Sequence, residues 1–364
     1  MALTQVRPEG LGFVNGRRNL IINGAMQVAQ RGTSGTGESY KSVDRFFFAA
    51  AALDNHALTQ TKQAVTDLAG FSNSWRITTT TAESAIAADE IAYVAQKIEA
   101  QNLQQLAYGT SSAKQVTLSF YVKSSVTGTF STNLYQVDDS RIVNSEYTIS
   151  SANTWERKEI TYAADQTGVI DNNNGTGFYV TWNLALGSNY KGNAATAWEA
   201  YNTDNWAGAG TYTDAVITTV NSTWEITGVQ LEVGSNASDF EHRSYGEELA
   251  LCQRYTYIMS SNTSSATTDF INGAAYSASQ VNAGMDLPVT MRATPTVTYG
   301  NDTGAYRFYR SGGNDPFDTL INDNPTNLHL QFAGTAGLSH TSGVAGSVQL
   351  RYGDGAFVKA DAEL

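Results

Sequence analysis

Between Trp224 and Tyr255 the chain changes its hydrophobic period, and that change divides everything else. Ile226, Val229, Leu231 and Val233 are apolar, and the last three alternate with Gln230 and Glu232, the period-two pattern of a strand. Gly234-Ser235-Asn236 then stops the strand with turn-forming residues. From Tyr245 to Tyr255 the spacing turns helical, with Leu249 and Leu251 joined by Tyr245, Cys252 and Tyr255 on an i, i+4, i+7 face. Ser244 stands at the N-cap position, with Glu247 and Glu248 in the first turn. A closing strand hands over to a short helix, and the chain is expected to divide there.

On either side the pattern is that of β structure. Asn19 to Val28 reads as a first strand broken at Asn23-Gly24, and Tyr40 to Ala52 brings three consecutive Phe to the core. Asp44-Arg45 before them reads as an ion pair or a turn. Trp75 to Thr81, Val116 to Val122, Gly128 to Val137, Trp155 to Ala163 and Phe178 to Leu186 read as strands. Ala82 to Gln96 fits a helix or a strand, and Glu99 to Tyr108 a short helical loop. Most of these strands are well separated along the chain, as in an antiparallel sandwich with substantial loops. After the helix, Gly284 to Tyr299, Ala305 to Tyr309, Leu328 to Phe332, Val348 to Tyr352 and Ala356 to Ala360 continue the same style. The expected organisation is an arm or anchoring peptide over 1–18, a sandwich over 19–244, a linking helix over 245–255 and a second β domain over 256–364. With 32 Gly against 5 Pro among 364 residues, and 11% aromatics, composition supports the all-β reading.

A net charge of −12 argues against nucleic acid or an anionic membrane as the main partner, because both select clustered Lys and Arg. No stretch approaches the roughly 20 apolar residues of a membrane span, and no signal peptide is visible, so a soluble protein made in a cytoplasm is expected. Cys252 is the sole cysteine, which excludes an intrachain disulfide, and its place on the apolar helix face suits a buried, inert thiol. Phosphate-binding loops, dinucleotide fingerprints, zinc-protease motifs and nucleophile elbows are all missing. His56, His242, His329 and His340 are scattered without metal-ligand spacing. Asp89-Glu90, Asp138-Asp139 and Glu247-Glu248 are paired acids, but neighbours on a strand point to opposite faces and do not converge.

The insertion from Asn189 to Asp214 is more suggestive. It carries Trp198, Tyr201, Trp206 and Tyr212 among Gly, Asn and Asp. Aromatic faces beside amides and carboxylates suit sugars, whose C–H faces stack while their hydroxyls hydrogen-bond. Tyr201, Trp206 and Tyr212, with Asp204 and Asn205 as polar partners, form the candidate glycan-binding set. For Trp198 a plug at the end of the sandwich is favoured over a ligand platform, and for Trp206 plug and platform stand nearly level. Tyr306, Phe308 and Tyr309 offer a second aromatic set in the C-terminal domain.

Several stretches resemble tail-fibre and related virion proteins of bacteriophages, especially those of marine and cyanobacterial hosts. They are NLIINGAMQVAQRGTS (19–34), KIEAQNLQQLAYGTSSAKQVTLSFYVKSSVTGTF (97–130), ITGVQLEVGSNASDFEHRSYGEELALCQRY (226–255), LPVTMRATPTV (287–297) and the terminal ADAEL. The resemblance implies a carbohydrate-binding-module-like jelly roll as the first domain, and a homotrimeric fibre on the virion surface with other virion proteins held through the N-terminal arm. It implies no catalytic residues. Many such jelly rolls hold calcium through an acid following an aromatic on the first strand; here that place reads Ala25-Met26-Gln27, so no metal or other cofactor is expected. The expected fold is all-β: a jelly-roll β-sandwich, a short helix and a second β-sandwich-like domain. The expected function is recognition of a host-surface polysaccharide or lipopolysaccharide without cleavage. The alternatives are a capsule or lipopolysaccharide depolymerase and an architectural decoration or adaptor protein.

Overall fold

Polar and apolar residues alternate along most of the chain, and folding turns that alternation into paired antiparallel sheets. The computed structural model describes residues 17–193, 196–260, 268–300, 302–322, 324–335, 337–351 and 356–364. The chain divides into two units, Met1–Glu248 with Leu364 and Leu249–Glu363. The division falls inside the helix. Most of the arm expected over 1–18, residues 1–16, lies outside the described residues.

In the first unit the strands are β1 (Ser34–Thr36), β2 (Phe46–Ala51), β3 (Ala57–Ala64), β4 (Asn73–Thr81), β5 (Ile91–Glu99) and β6 (Val116–Ser124). They continue with β7 (Gly128–Gln136), β8 (Arg141–Ile149), β9 (Glu156–Tyr162), β10 (Thr176–Leu186), β11 (Glu199–Ala200) and β12 (Thr223–Val233). Two six-stranded sheets result, ordered β1-β3-β4-β12-β6-β9 and β11-β8-β7-β10-β5-β2. This is the expected jelly-roll sandwich. Its core takes the inward residues of both sheets, including Trp75, Trp182 and Trp224, each 0% exposed.

Several segments depart from their expected form. Asn19 to Val28 is not a strand, because Asn23 and Met26 sit at positive φ (61° and 56°) and turn the chain back on itself. The segment is nevertheless fixed beside β12. The Leu20 N–H donates to the Leu231 carbonyl (2.8 Å), and the Val229 N–H to the Gly24 carbonyl (2.9 Å). The Asn23 side chain stands in for a ladder, donating to the Val28 and Asp44 carbonyls (2.9 Å each) and accepting from the Val28 N–H (2.9 Å). Ala82 to Glu90 is an irregular loop and Ile91 to Gln96 begins β5, while Glu99 to Tyr108 holds a 3-10 turn over Ala100–Leu106. Strands β3 and β8 carry no clean alternation (ALTQTKQA, RIVNSEYTI) and are recognisable only through their partners β4 and β7. Arg45 supplies a turn at φ 73°, while the ion pair of Asp44 is with Arg31 at 3.5 Å.

Helix α1 (Ala215–Thr218) precedes β12, and α2 (Tyr245–Gln253) follows it. Ser244 caps α2 as its sequence indicates: the Glu247 N–H donates to its hydroxyl (3.3 Å), and the Ser244 N–H donates to the Glu247 carboxylate (3.0 Å). Tyr245, placed on the apolar face by its spacing, is 57% exposed, because it starts the helix; Cys252 is buried.

The second unit holds β13 (Thr256–Ser260), β14 (Thr268–Ser277), β15 (Gln280–Asp286), β16 (Thr296–Tyr299) and β17 (Tyr306–Arg310). It ends with β18 (Gly313–Phe317), β19 (Leu320–Asn322), β20 (His329–Gly334), β21 (Ala345–Leu350) and β22 (Phe357–Asp361). A three-stranded sheet, β13-β22-β16, shares a core with a seven-stranded one, β18-β17-β21-β14-β15-β20-β19. The aromatic set expected there is divided by strand alternation. Tyr306 and Phe308 are 0% exposed, and Tyr309, the residue after Phe308, faces outward, 52% exposed.

Asn23→Ala removes three buried hydrogen bonds and takes the side-chain partner from the Asp44 carbonyl and the Val28 N–H, while the Val28 carbonyl keeps the Asp44 N–H (3.0 Å). We expect a loss of roughly 2–4 kcal/mol in unfolding free energy by urea denaturation. A loss below about 0.5 kcal/mol contradicts the clamp assigned to this side chain.

Candidate functional site: an aromatic face on the second sheet

Strand alternation places Phe178, Val180, Trp182 and Leu184 of β10 in the core and Tyr179, Thr181 and Asn183 on the opposite face. Pairing registers carry that outward row across the sheet. Tyr179 lies opposite Lys97 on β5 and Tyr135 on β7, and Asn183 lies opposite Tyr93 and Ser131. The outer face therefore has an aromatic margin and a polar centre.

The insertion covers the polar centre. Asn133 donates to the Trp206 carbonyl (3.3 Å) and Asn144 to the Asn205 carbonyl (2.8 Å), so both amides are buried although they face outward. Such groups are tolerated under cover because each has a partner. The aromatic margin stays half-open. Tyr201 contacts Tyr135 (ring centroids 5.0 Å apart) and Trp206 (6.5 Å), and Trp206 contacts Tyr93 (5.2 Å) and Tyr190 (6.4 Å). Tyr135 in turn meets Tyr179 at 6.0 Å. Tyr93, Tyr135, Tyr179, Tyr190, Tyr201 and Trp206 thus form one connected surface. Beyond Tyr179 the Lys97 ammonium lies 4.9 Å from its ring centre and also donates to the carbonyl of Leu364.

The five residues singled out by sequence fare differently. Tyr201 is 37% exposed and accepts the indole N–H of Trp206 (3.2 Å). Trp206 is half-buried and packs with Tyr93, Tyr190 and Tyr212 beside Ile91, Leu186 and Ala207, so it both holds the loop and shows part of its ring. The Tyr212 hydroxyl donates to Glu146; burial, then this carboxylate, hold the phenol above its ordinary range. Asp204 is half-buried, with one carboxylate oxygen enclosed and unpartnered among the described residues. Asn205 is a correction. At 1% exposure it cannot meet a glycan; its side chain accepts from the Asn202 N–H (3.0 Å) and donates to the Ala200 carbonyl (3.0 Å), closing a short turn.

Trp198 is a plug. It is 8% exposed, stacks on Phe178 at 5.8 Å and 19°, and donates its indole N–H to the Ala163 carbonyl (2.7 Å). Sequence reasoning missed Tyr93, Tyr135 and Tyr179, which come from three different strands. Their outward parity opposite the core residues of the same strands was the available signal.

The paired acids serve the fold. Asp138 and Asp139 accept the N–H groups of Asp171 (3.0 Å) and Val169 (2.6 Å), Glu90 that of Ala87 (2.6 Å), and Glu248 that of Asn23 (2.5 Å). Ala25-Met26-Gln27 does not fit a calcium ion. Ala25 and Met26 are buried apolar side chains, the Gln27 carbonyl accepts from the Lys62 ammonium, and nearby Asp44 is engaged by Gln30 and Arg31. Among the described residues no cluster of three or more His, Cys, Asp or Glu could hold a metal, and no helix is long and apolar enough to cross a membrane.

No protein-family model matches the sequence, and no curated protein matches it. Solved structures with a related outline include the enzymatically active domain of tailspike protein 4 of bacteriophage CBA120. That similarity has a TM-score of 0.32 at 12% identity and covers 59% of this chain and 21% of the tailspike chain. The family 11 carbohydrate-binding module of Clostridium thermocellum, solved with a mixed-linked tetrasaccharide, gives 0.28 at 10%, covering 58% and 98%. The xylan-binding domain CBM22-1 of Paenibacillus barcinonensis Xyn10C gives 0.27 at 9%, covering 61% and 100%. None of these likenesses gives a residue of this chain a role.

Burial, then the neighbouring phenols Tyr179 and Tyr201, push the Tyr93 hydroxyl up to about 12. A phenol in the unfolded chain ionises near 10, so the folded state holds its proton longer. The stability this contributes is complete below about pH 10 and is lost as pH rises towards 12. Urea denaturation at about pH 9 and about pH 11.5 should show that fall, and Tyr93→Phe should make it shallower. An unchanged pH slope in the variant contradicts the enclosed position of this phenol.

Proposed function

We propose that this protein is a virion fibre that recognises a bacterial surface glycan without cleaving it, and that the first sandwich holds the sugar chain against its aromatic face. The observation that carries this reading is the connected surface of Tyr93, Tyr135, Tyr179, Tyr190, Tyr201 and Trp206 on the outer face of one sheet. Rings from several strands and one loop make a platform long enough for more than one sugar. The resemblance of 19–34, 97–130 and 226–255 to phage fibre proteins supports the setting. The engagement of Asp138, Asp139, Glu90 and Glu248 in backbone contacts supports binding over hydrolysis. Ring stacking contributes about 1 kcal/mol per sugar, so one face binds weakly. A homotrimer presenting three faces to one cell supplies the avidity.

Tyr201→Ala and Trp206→Ala separate recognition from loop packing. Tyr201→Ala should fold with an unchanged melting temperature and bind host-cell polysaccharide about five- to tenfold more weakly in calorimetric titration. Trp206→Ala should lose both stability and binding, because its ring serves both. A lower melting temperature with binding unchanged in both variants would remove this face from the site. New reducing ends on incubation with the same polysaccharide would replace recognition by depolymerisation. Light scattering should return three times the chain mass of 39.1 kDa. A monomer at micromolar concentration contradicts the trimer.

A further inference from the structure

The first unit has a second concave feature, which shares no residue with the aromatic face. It is a cavity of about 380 Å³, near the lower end of the roughly 300–1,000 Å³ usual for ligand pockets. Its walls include Gln27, Lys62, Phe71, Asn73, His242 and Tyr245, brought together from the N-terminal segment, β3, the β3–β4 turn, the start of β4 and the approach to α2.

Lys62 is the residue that calls for a ligand. It has the parity of Leu58 and Gln60, the inward residues of β3, yet it is charged and half-buried. Its ammonium donates to the Gln27 carbonyl, and no carboxylate oxygen of the described residues lies within 4.0 Å. The nearest acid that acts on it, Asp44, is already paired with Arg31 at 3.5 Å. A partly desolvated ammonium with donors to spare lacks a charge partner of its own. Other walls of the cavity are aromatic. Phe71 packs with Phe240 (5.2 Å) and His242 (5.4 Å), which hold its ring in place, and Tyr245 is 57% exposed. The Gln27 and Asn73 amides supply hydrogen-bonding groups of both kinds.

We propose that this cavity is a binding site for a carboxylated sugar of the uronic-acid kind. The Lys62 ammonium receives the carboxylate, Phe71 and Tyr245 meet the C–H face of the ring, and the amides take its hydroxyls. A single ammonium matches a singly charged carboxylate. The site stands independently of the aromatic face, and the fibre reading can fail without it.

Calorimetric titration of the full chain with sodium glucuronate, glucose and sodium acetate tests the proposal. Glucuronate should bind at least about tenfold more tightly than either glucose, which lacks the charge, or acetate, which lacks the ring. Lys62→Met, which keeps the stem, and Tyr245→Ala, which truncates an exposed ring, should each weaken glucuronate binding by about five- to tenfold. Near-UV circular dichroism checks the fold; if Lys62→Met fails that check, Tyr245→Ala decides alone. Equal affinity for glucuronate and acetate, equal affinity for glucuronate and glucose, or wild-type binding by the folded variants overturns the site.

Discussion

Trp182 packs edge-on against Phe120 at 5.7 Å and lies 6.4 Å from Phe46, tying the two sheets of the first sandwich together through one ring. A strand shows alternate residues to opposite faces, so an inward Trp182 obliges Tyr179, Thr181 and Asn183 to face outward. A slip of one residue would put three polar groups in the core and the indole in water. Burial of such a ring contributes about 3 kcal/mol or more, so the register is strongly specified. The composition of the outer face follows from that inner contact.

What the outer face becomes then depends on the insertion. Asn133, Thr181 and Asn183 point away from the core, yet they are 0%, 0% and 2% exposed. Each has a partner: Thr181 donates to Asn133, Asn183 to the Ser131 hydroxyl (2.8 Å), and Asn133 to the Trp206 carbonyl, while the Asn183 side-chain oxygen has none among the described residues. Covering them without partners would cost roughly 1–3 kcal/mol each, which makes the insertion a fitted lid over the polar centre. The phenols need no such cover. Their rings pack against one another and stay half-open, so an aromatic margin remains for a ligand.

Much of this organisation is legible in residue patterns, and the exceptions have physical reasons. Val116 to Val122 and Trp224 to Val233 read as strands because their alternation is strong and their ends carry turn residues. Strand β3 is hidden because polar residues sit on both its faces, and β8 because Asn144-Ser145-Glu146 interrupts the row of Val143, Tyr147 and Ile149, so pairing with a neighbour defines them. Asn19 to Val28 has strand-like composition, but two residues in the left-handed region and one amide side chain take over its hydrogen bonding. At the site, Tyr201, Trp206 and Tyr212 stand out because they cluster in one loop. Tyr93, Tyr135 and Tyr179 do not, since residues from three strands meet only after the sheet has formed. Asn205 illustrates the opposite error: a polar residue among aromatics is as well suited to closing a turn as to meeting a ligand.

Under the proposed function, the aromatic face, and no other broad surface, would meet the glycan. Hydrogen–deuterium exchange with and without the host-cell polysaccharide tests it across the whole chain at once. Peptides from 187–193 and 196–214, together with those spanning Tyr93, Tyr135 and Tyr179, should exchange more slowly when the polysaccharide is present. Peptides from β14, β15 and β20 should not change. Protection confined to the second unit, around the exposed Tyr276 and Tyr309, would contradict the account and move recognition to the C-terminal domain.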